Sequence, residues 1–134
     1  MDAEASAWHV ADPFDLPEWL GEYELTWRTD ASIGGPRCPG ILSATDDLRL
    51  PLLVLGADTA FPQPVVSPTV RTSVHQAWTY SQVAVLSADE PTPGSYALAV
   101  PSTSMDVDLV CTALRRFAKA IGIAPRRVSV HIRL

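Results

Sequence analysis

The chain has 134 residues, of which 47% are hydrophobic and 19% are charged, and its net charge is −5 at pH 7. This size and composition exclude a disordered chain and are typical of one globular domain that can bury a core without disulfides or metal. No apolar run is long enough to cross a membrane, the acidic start shows no signal peptide, and the negative charge disfavours nucleic acid as a partner.

The elements predicted in chain order begin with an acidic and aromatic segment, residues 1–21, which has no long periodicity. Residues 22–134 follow as a single domain. Its first predicted strand covers residues 22–28, where the apolar Leu25 and Trp27 alternate with polar side chains. This alternation is the pattern of a strand that is buried on one face.

The next two predicted strands differ in pattern. Residues 37–44 form a strand that is weakened by Pro39 and Gly40, which favour an edge position or a bulge. Residues 48–57 are almost continuously apolar, as in a strand that is buried on both faces. We therefore expect the later strand to lie centrally in the sheet.

A helix is predicted after Ser67. Ser67 is a favourable N-cap, and Pro68 stands at the first helical position, where its missing N–H costs nothing. Val70 and Val74 then begin an apolar stripe that continues with helical spacing to Ser81.

The second half of the chain has the clearest pattern. A strand hairpin is predicted over residues 82–101, followed by N-cap candidates at residues 102–104 and an amphipathic helix that reaches Ile121. Gly122 supplies the left-handed conformation at which helices often end. From Pro125 onward, apolar and polar residues alternate again, which predicts a closing strand.

The predicted order after the N-terminal segment is β-β-β-α-β-β-α-β. Because consecutive strands joined by short turns pair antiparallel, we expect an α+β fold with a mostly antiparallel, twisted sheet and two helices packed on one face. The last helix-to-strand connection provides a route to a parallel strand through a crossover. Such a sheet leaves its other face partly open.

Catalytic and phosphate-binding motifs are absent from the sequence. There is no Walker loop, no dinucleotide-binding loop and no nucleophile elbow. His9, His75 and His131 are spread over the chain, and no Cys or His pair has the spacing of a metal clip. Our first hypothesis is therefore a protein without enzymatic activity, metal or cofactor.

Three residues support an alternative pocket. His75 lies at the border of its helix's apolar face, where it would serve as a general base together with Asp58 at the end of the third strand. His131 lies on the polar side of the last strand and would line a pocket on the open sheet face. The simpler interpretation is that both histidines are ordinary exposed positions.

The two cysteines are expected to be free thiols. Cys111 falls within the apolar stripe of the last helix, which predicts a buried structural thiol, whereas Cys38 follows Arg37 and is expected to be exposed. Reduced cysteines without metal spacing fit a cytoplasmic protein. The ratio of nine arginines to one lysine is typical of proteins from GC-rich bacterial genomes.

The two ends of the chain carry opposite charge. Residues 1–30 contain eight acidic residues and a single arginine, whereas residues 115–134 contain six basic residues and no acidic one. The dipole of the predicted last helix explains part of the basic cluster, because cations stabilise a helix C-terminus. The cluster extends beyond the helix, so we expect it to meet an acidic partner or the chain's own N-terminal segment.

Two surfaces are therefore candidates for partner binding. The first is the N-terminal segment, in which Phe14, Trp19 and Leu20 are large apolar side chains separated by charges, as in short docking motifs. The alternative is that these side chains cover the domain's own sheet. The second surface is the basic cluster, formed by Arg115, Arg116, Lys119, Arg126 and Arg127.

The leading functional hypothesis is a small acidic protein-interaction module, such as an adaptor, a peptide-binding chaperone or a regulatory domain, that binds another protein or its own copy. Four tryptophans, three of them within the first 27 residues, favour an interface role. In its predicted order of elements the chain resembles small, acidic peptide-binding chaperones of the secretion-chaperone class. The alternative is a small enzyme or ligand-binding domain with a pocket between sheet and helices.

Overall fold

A computed structural model describes residues 8–12, 16–45, 47–58, 66–88 and 95–132. Within these residues the strands are β1 (Trp8–Val10), β2 (Leu25–Thr29), β3 (Arg37–Cys38), β4 (Ile41–Ser43), β5 (Arg49–Gly56), β6 (Ala84–Ala88), β7 (Ser95–Val100) and β8 (Val128–Ile132). The helices are α1 (Pro68–Thr79) and α2 (Val107–Ala120), and a 3₁₀ turn (Pro125–Arg127) leads into β8. This content confirms the α+β class.

The eight described strands form one mixed sheet. Their order is β1-β6-β7-β5-β4-β2-β8, and β3 lies beside the C-terminal half of β5. β5 is parallel to β7 and β2 is parallel to β8, whereas the other neighbours are antiparallel. The prediction of a mostly antiparallel sheet was therefore wrong. It assumed that strands consecutive in the chain lie side by side, but β7 lies between β5 and β6.

Short strands account for the different element order. β1 lies in the segment for which no strand was predicted, and it extends the sheet by pairing with β6. β3 and β4 occupy the predicted second strand and share one antiparallel register against β5, in which Arg37 pairs with Leu55 and Ser43 pairs with Arg49. The interruption falls at Pro39-Gly40, where the sequence predicted a weak strand.

Trp27 joins the three strands around this interruption. Its side chain is completely buried, and its indole Nε1 donates a hydrogen bond of 2.9 Å to the carbonyl oxygen of Leu52 in β5. The ring lies directly against Gly40, where a Cβ atom would be only 2.3 Å from ring carbons Cε2 and Cζ2. Only a residue without a side chain fits at this position.

The two faces of the sheet carry separate hydrophobic cores. Alternate residues of β5, β6 and β7 belong to different clusters. α1 contributes Val70 and Val74 to one cluster, and α2 contributes Val110, Leu114 and Phe117 to the other. The helices therefore lie on opposite faces, and the prediction that both pack on one face was wrong. Periodicity identifies the buried side of each helix, but not the face of the sheet that it meets.

The predicted helix caps agree with the structure more closely than the predicted sheet does. Ser67 caps α1, and its hydroxyl accepts a hydrogen bond from the amide of Val70 at 3.3 Å. Asp106, rather than residues 102–104, caps α2 by accepting from the amide of Leu109 at 2.8 Å. Gly122 follows α2 with φ of +85°, as its residue type predicted. α2 contacts both β7 and β8, and its connection brings β8 parallel to β2.

The face of the sheet that α2 covers is also covered by part of the N-terminal segment. Leu16 and Leu20 are buried in the same core as Phe117, and Trp19 packs against this core. Gly21 lies close to the carbonyl of Ile121, just after the end of α2. Residues 16–21 therefore form part of the domain's packing.

The face that α1 covers is only half covered. α1 packs on β1, β6 and β7. The same face of β2, β4, β8 and the first half of β5 is exposed or half-buried, and we call it the open sheet face. It carries Thr26, Arg28, Ile41, Ser43, Arg49, Pro51, Ser129 and His131. A partly open face is thus present among the described residues, but it is half of the face that α1 covers and not a face without helices, as was expected.

The contact between Trp27 and Gly40 yields a stability prediction. Gly40→Ala should lower the free energy of unfolding by about 3 kcal/mol, because the new methyl group overlaps a buried ring that cannot move away. Urea denaturation followed by tryptophan fluorescence measures the change. Gly35→Ala is the matched control, since no atom lies within 4 Å of its Cβ position, and it should change stability by less than about 0.5 kcal/mol. Equal effects of the two substitutions would contradict the packing described.

Candidate functional site

A groove lies between α2 and the edge strand β8. Its volume is about 360 Å³. It is lined by apolar and half-buried side chains together with two arginines: Cys111, Leu114, Arg115, Pro125, Arg126, Val128 and Val130. We call it the α2–β8 groove. It is built by the α2 crossover, which brings the C-terminal half of the helix beside the strand that follows it.

β8 forms one border of the sheet in the described structure. It pairs with β2 along its whole length, and no described strand lies on its other side. Val128, Val130 and Ile132 pack against the core below α2, while Ser129 and His131 are exposed on the other face. An edge strand presents a row of backbone N–H and C=O groups that another extended chain can pair with.

The arginines of the groove are free to meet an anion. Arg115 and Arg126 are exposed, and neither forms an ion pair with a described residue. Residues 109–132 contain no acidic residue, so no carboxylate on this part of the chain neutralises them. The groove therefore has a positive rim and an apolar floor, although the whole chain is acidic.

The other members of the basic cluster lie elsewhere. Arg116 stacks on the ring of Trp78 at 3.8 Å and donates hydrogen bonds to the carbonyls of Trp78 (3.0 Å) and Gln82 (3.1 Å). It therefore ties α2 to the end of α1. Lys119 is exposed beside a separate surface depression, and Arg127 is half-buried in the 3₁₀ turn.

The N-terminal candidates are divided by the structure. Phe14 lies outside the described residues. Leu20 is only 2% exposed and Trp19 is half-buried against the same core, so Leu20 has no surface to offer a partner. Their placement is that of a cover for the domain's own sheet, which was the alternative interpretation of this segment.

Asp58 and His75 of the alternative pocket are brought together. His75 Nε2 lies 2.9 Å from Asp58 Oδ1, and Arg71 Nε donates to the same oxygen at 2.8 Å. Asp58 follows β5 and is fixed by its amide, which donates to the carbonyl of Ser102 at 3.2 Å. Arg71 and His75 stand four residues apart on α1, so both side chains reach Asp58 from one side of the helix.

The Asp58 carboxyl is electrostatically coupled to its two partners. Partial burial raises its pKa. The hydrogen bonds from His75 and Arg71 and the charges of these two residues lower the pKa by a larger amount, so that it lies below the usual value. Beside this cluster, α1 and Tyr80 border a shallow groove of about 650 Å³. The ionised carboxylate orients the imidazole of His75, whose side chain is 47% exposed.

His131 does not belong to this cluster. It lies on β8, which is separated from β5 by β4 and β2, or about 14 Å by ordinary strand spacing. It is exposed on the open sheet face directly beside Arg28. The three residues of the alternative pocket are therefore divided between two places.

Cys38 is buried rather than exposed as the sequence suggested. It is 1% exposed, because its side chain points into the core shared by β2 and β5. Burial raises the pKa of its thiol, and a long contact of 4.0 Å with the Thr29 hydroxyl opposes this only partly. Cys111 is half-buried in the wall of the α2–β8 groove.

The described residues show neither a metal site nor a membrane span. No group of three or more His, Cys, Asp or Glu side chains among them could hold a metal ion. No helix of the described part is long and apolar enough to cross a membrane.

Comparisons of the chain with protein-family models, with curated proteins and with solved structures found no match. The likeness to secretion chaperones rested on an element order that differs from the observed one, so it adds nothing to the site's interpretation. The function must therefore be argued from the geometry of the sites themselves.

Sequence reasoning missed Arg71 and the groove-lining residues of β8. The spacing of four residues between Arg71 and His75 was visible as a shared helical surface, and it pointed to a common partner. The groove had no such signal, because Cys111 and Val128 are brought together only by the path of α2 over the sheet.

The Asp58 cluster predicts a pH-dependent contribution to stability. Because the pKa is lowered by folding, the carboxylate stabilises the fold at pH values above its unfolded pKa of 3.8, and this contribution is lost as the pH falls through the lower folded value. Asp58→Asn should therefore lower the free energy of unfolding by about 0.5 kcal/mol at neutral pH, a small value because Arg71 and His75 are exposed.

This prediction is checked by urea denaturation at about pH 7 and about pH 2, with Arg71→Gln and the double variant completing a mutant cycle. We expect a coupling free energy between the two positions at neutral pH that disappears in acid. A coupling that is the same at both pH values would show that the carboxylate's charge is not its source.

Proposed function

We propose that this protein is a cytoplasmic interaction module that binds an extended, acidic segment of another protein as an added strand beside β8. The observation that carries the proposal is the position of a β8 edge next to a groove whose two exposed arginines form no ion pair with a described residue. Adaptors, peptide-binding chaperones and regulatory domains all belong to this class. The two free cysteines are in keeping with a reducing compartment.

The physical basis is strand addition. Backbone hydrogen bonds from an edge strand give affinity for any extended peptide, and alternate side chains of that peptide give specificity. Side chains that point towards α2 would meet the apolar floor formed by the half-buried Val128 and Val130, and the rim formed by Arg115 and Arg126. A peptide that alternates acidic and apolar residues across this groove is complementary in both respects.

An acidic partner is favoured over a second copy of the chain at this surface. Pairing of β8 with β8 of another copy would bring Arg115 and Arg126 of both copies close together. Like charges held side by side oppose such pairing, whereas glutamate or aspartate side chains would neutralise the same groups. Affinity for an acidic peptide should therefore fall as salt is added.

Charge reversal of the groove tests the proposal. The double variant Arg115→Glu/Arg126→Glu should weaken binding of a fluorescein-labelled peptide of alternating glutamate and valine by at least about tenfold, as fluorescence anisotropy measures. Arg37→Glu is the matched control, because Arg37 is exposed on β3 and lies outside the groove, and it should bind as the native chain does.

Two further measurements separate strand addition from simple charge attraction. A peptide with N-methylated alternate residues cannot complete the backbone pairing and should bind more weakly, and the native peptide should slow maleimide labelling of Cys111. Cys38 is buried and adds little signal. Equal binding of the N-methylated peptide, or unchanged labelling of Cys111, would contradict binding along β8.

The pairing of Asp58 with His75 favours a second candidate, a small hydrolytic or ligand-binding site beside α1. The carboxylate holds the Nε2 side of the imidazole at 2.9 Å. The other nitrogen, Nδ1, would then take a proton from a water molecule that attacks an ester carbonyl, which is general-base catalysis. Arg71 would hold a negatively charged group of the substrate through its remaining guanidinium N–H groups.

Hydrolysis of 4-nitrophenyl acetate tests this candidate. The native chain should accelerate the release of 4-nitrophenolate, and His75→Ala should reduce the rate to that of the control solution, whereas His131→Ala, which removes another exposed histidine, should not. Equal rates for the native chain and His75→Ala would exclude general-base catalysis by His75 and leave the peptide proposal untouched.

A further inference from the structure

The open sheet face forms two rows of side chains that cross four strands. The register of β8, β2, β4 and β5 places one row in the order Ser129, Thr26, Ser43 and Arg49. The same register places the second row in the order His131, Arg28, Ile41 and Pro51. Side chains of the two rows stand on a rigid sheet whose other side is the α2 core.

A cleft of about 390 Å³ lies over the middle of these rows. Arg28 and Arg49 border it from two different strands, and the hydroxyl-bearing Thr26, Ser43 and Thr45 line the same cleft. Two guanidinium groups and the hydroxyls of Thr26 and Thr45 thus border one volume, and the Ser43 hydroxyl beside them donates to the Thr26 carbonyl at 3.5 Å. This donor set is richer than the two oxygens of a carboxylate can use, and it suits the several oxygens of a phosphate.

The two arginines are exposed, and neither forms an ion pair with a described residue. Asp30 borders the same cleft, but it forms no described ion pair with either of them. Arg28 and Arg49 reach the cleft from β2 and β5, on either side of β4, and together they outnumber Asp30, the single carboxylate residue among the residues that line it. An anion bound between them would relieve their mutual repulsion.

An apolar side chain lies at the floor of this polar cleft. Ile41 is 47% exposed, and the register places it between Arg28 and Pro51. A large apolar residue in this position offers a contact surface for a ring or a short carbon chain. Binding sites for small molecules typically combine such a surface with a few polar groups that fix orientation.

We infer that the open sheet face binds a small organic phosphate, whose phosphate group lies between Arg28 and Arg49 and whose carbon body lies on Ile41. This site is independent of the α2–β8 groove, because the two lie on opposite faces of the sheet. It gives a role to the uncovered half of the face that α1 leaves exposed.

Phenyl phosphate is the probe for this site. Titration followed by ¹⁵N NMR should shift the backbone amide signals of Thr26, Arg28, Ser43 and Arg49 by more than those of other residues. The double variant Arg28→Gln/Arg49→Gln should weaken binding by at least about tenfold, because it removes both charge-assisted donors. Arg115→Gln/Arg126→Gln is the matched control on the other face and should leave the affinity unchanged. Both double variants alter exposed side chains, and thermal melting is the check that each variant folds.

Inorganic phosphate and Ile41→Ser test the contact with the carbon body. The native chain should bind phenyl phosphate more tightly than inorganic phosphate, and Ile41→Ser should remove this difference. Shifts confined to the α2–β8 groove or to α1, or affinity that survives Arg28→Gln/Arg49→Gln, would overturn the inference. A short single-stranded oligonucleotide that bound this face more tightly than phenyl phosphate would overturn the assignment to a small ligand.

Discussion

The indole of Trp27 lies where three strands meet. It is carried by β2, it packs against Gly40 between β3 and β4, and its Nε1 donates to the carbonyl of Leu52 in β5. A buried donor that lost this partner would destabilise the fold by the cost of its desolvation. The contact therefore fixes the interruption of the β3–β4 strand and the register of the surrounding strands. Because these strands carry the open sheet face, the positions of Arg28, Ile41 and Arg49 depend on it as well.

The placement of the helices on opposite faces produces both candidate surfaces. α2 crosses from β7 to β8 and, together with residues 16–21, covers one face of the sheet except for the α2–β8 groove at its border. α1 is too short to cover more than the strands beyond β5, so the other face stays exposed over β4, β2 and β8. One asymmetry of packing thus explains an edge suited to a peptide and a sheet surface suited to a small anion.

The sequence predicted individual strands and helices better than it predicted which of them lie next to each other. The caps at Ser67 and Gly122 depend on local backbone preferences, and they are found as predicted. Pro39-Gly40 interrupts the predicted second strand, but it produces neither the edge position nor the bulge that was expected, because β4 lies between β5 and β2 in an unchanged register. The same reasoning paired Asp58 with His75, because a strand end and a helix can be followed in order along the chain. It grouped His131 with them on residue type alone, and the sheet order separates them.

The C-terminal basic cluster likewise shows what the sequence predicted and what it could not. The excess of basic residues at the C-terminal end was evident from composition, but Arg116 is used internally against Trp78, while Arg115, one position earlier, faces the groove. The sequence by itself determined the α+β class, the start of α1, the end of α2 and the buried stripes, because these depend on interactions between residues close in the chain. Only the tertiary structure decided which strands are neighbours, which face each helix covers and which cations remain free. Those features depend on contacts between residues far apart in the chain, and periodicity carries no information about them.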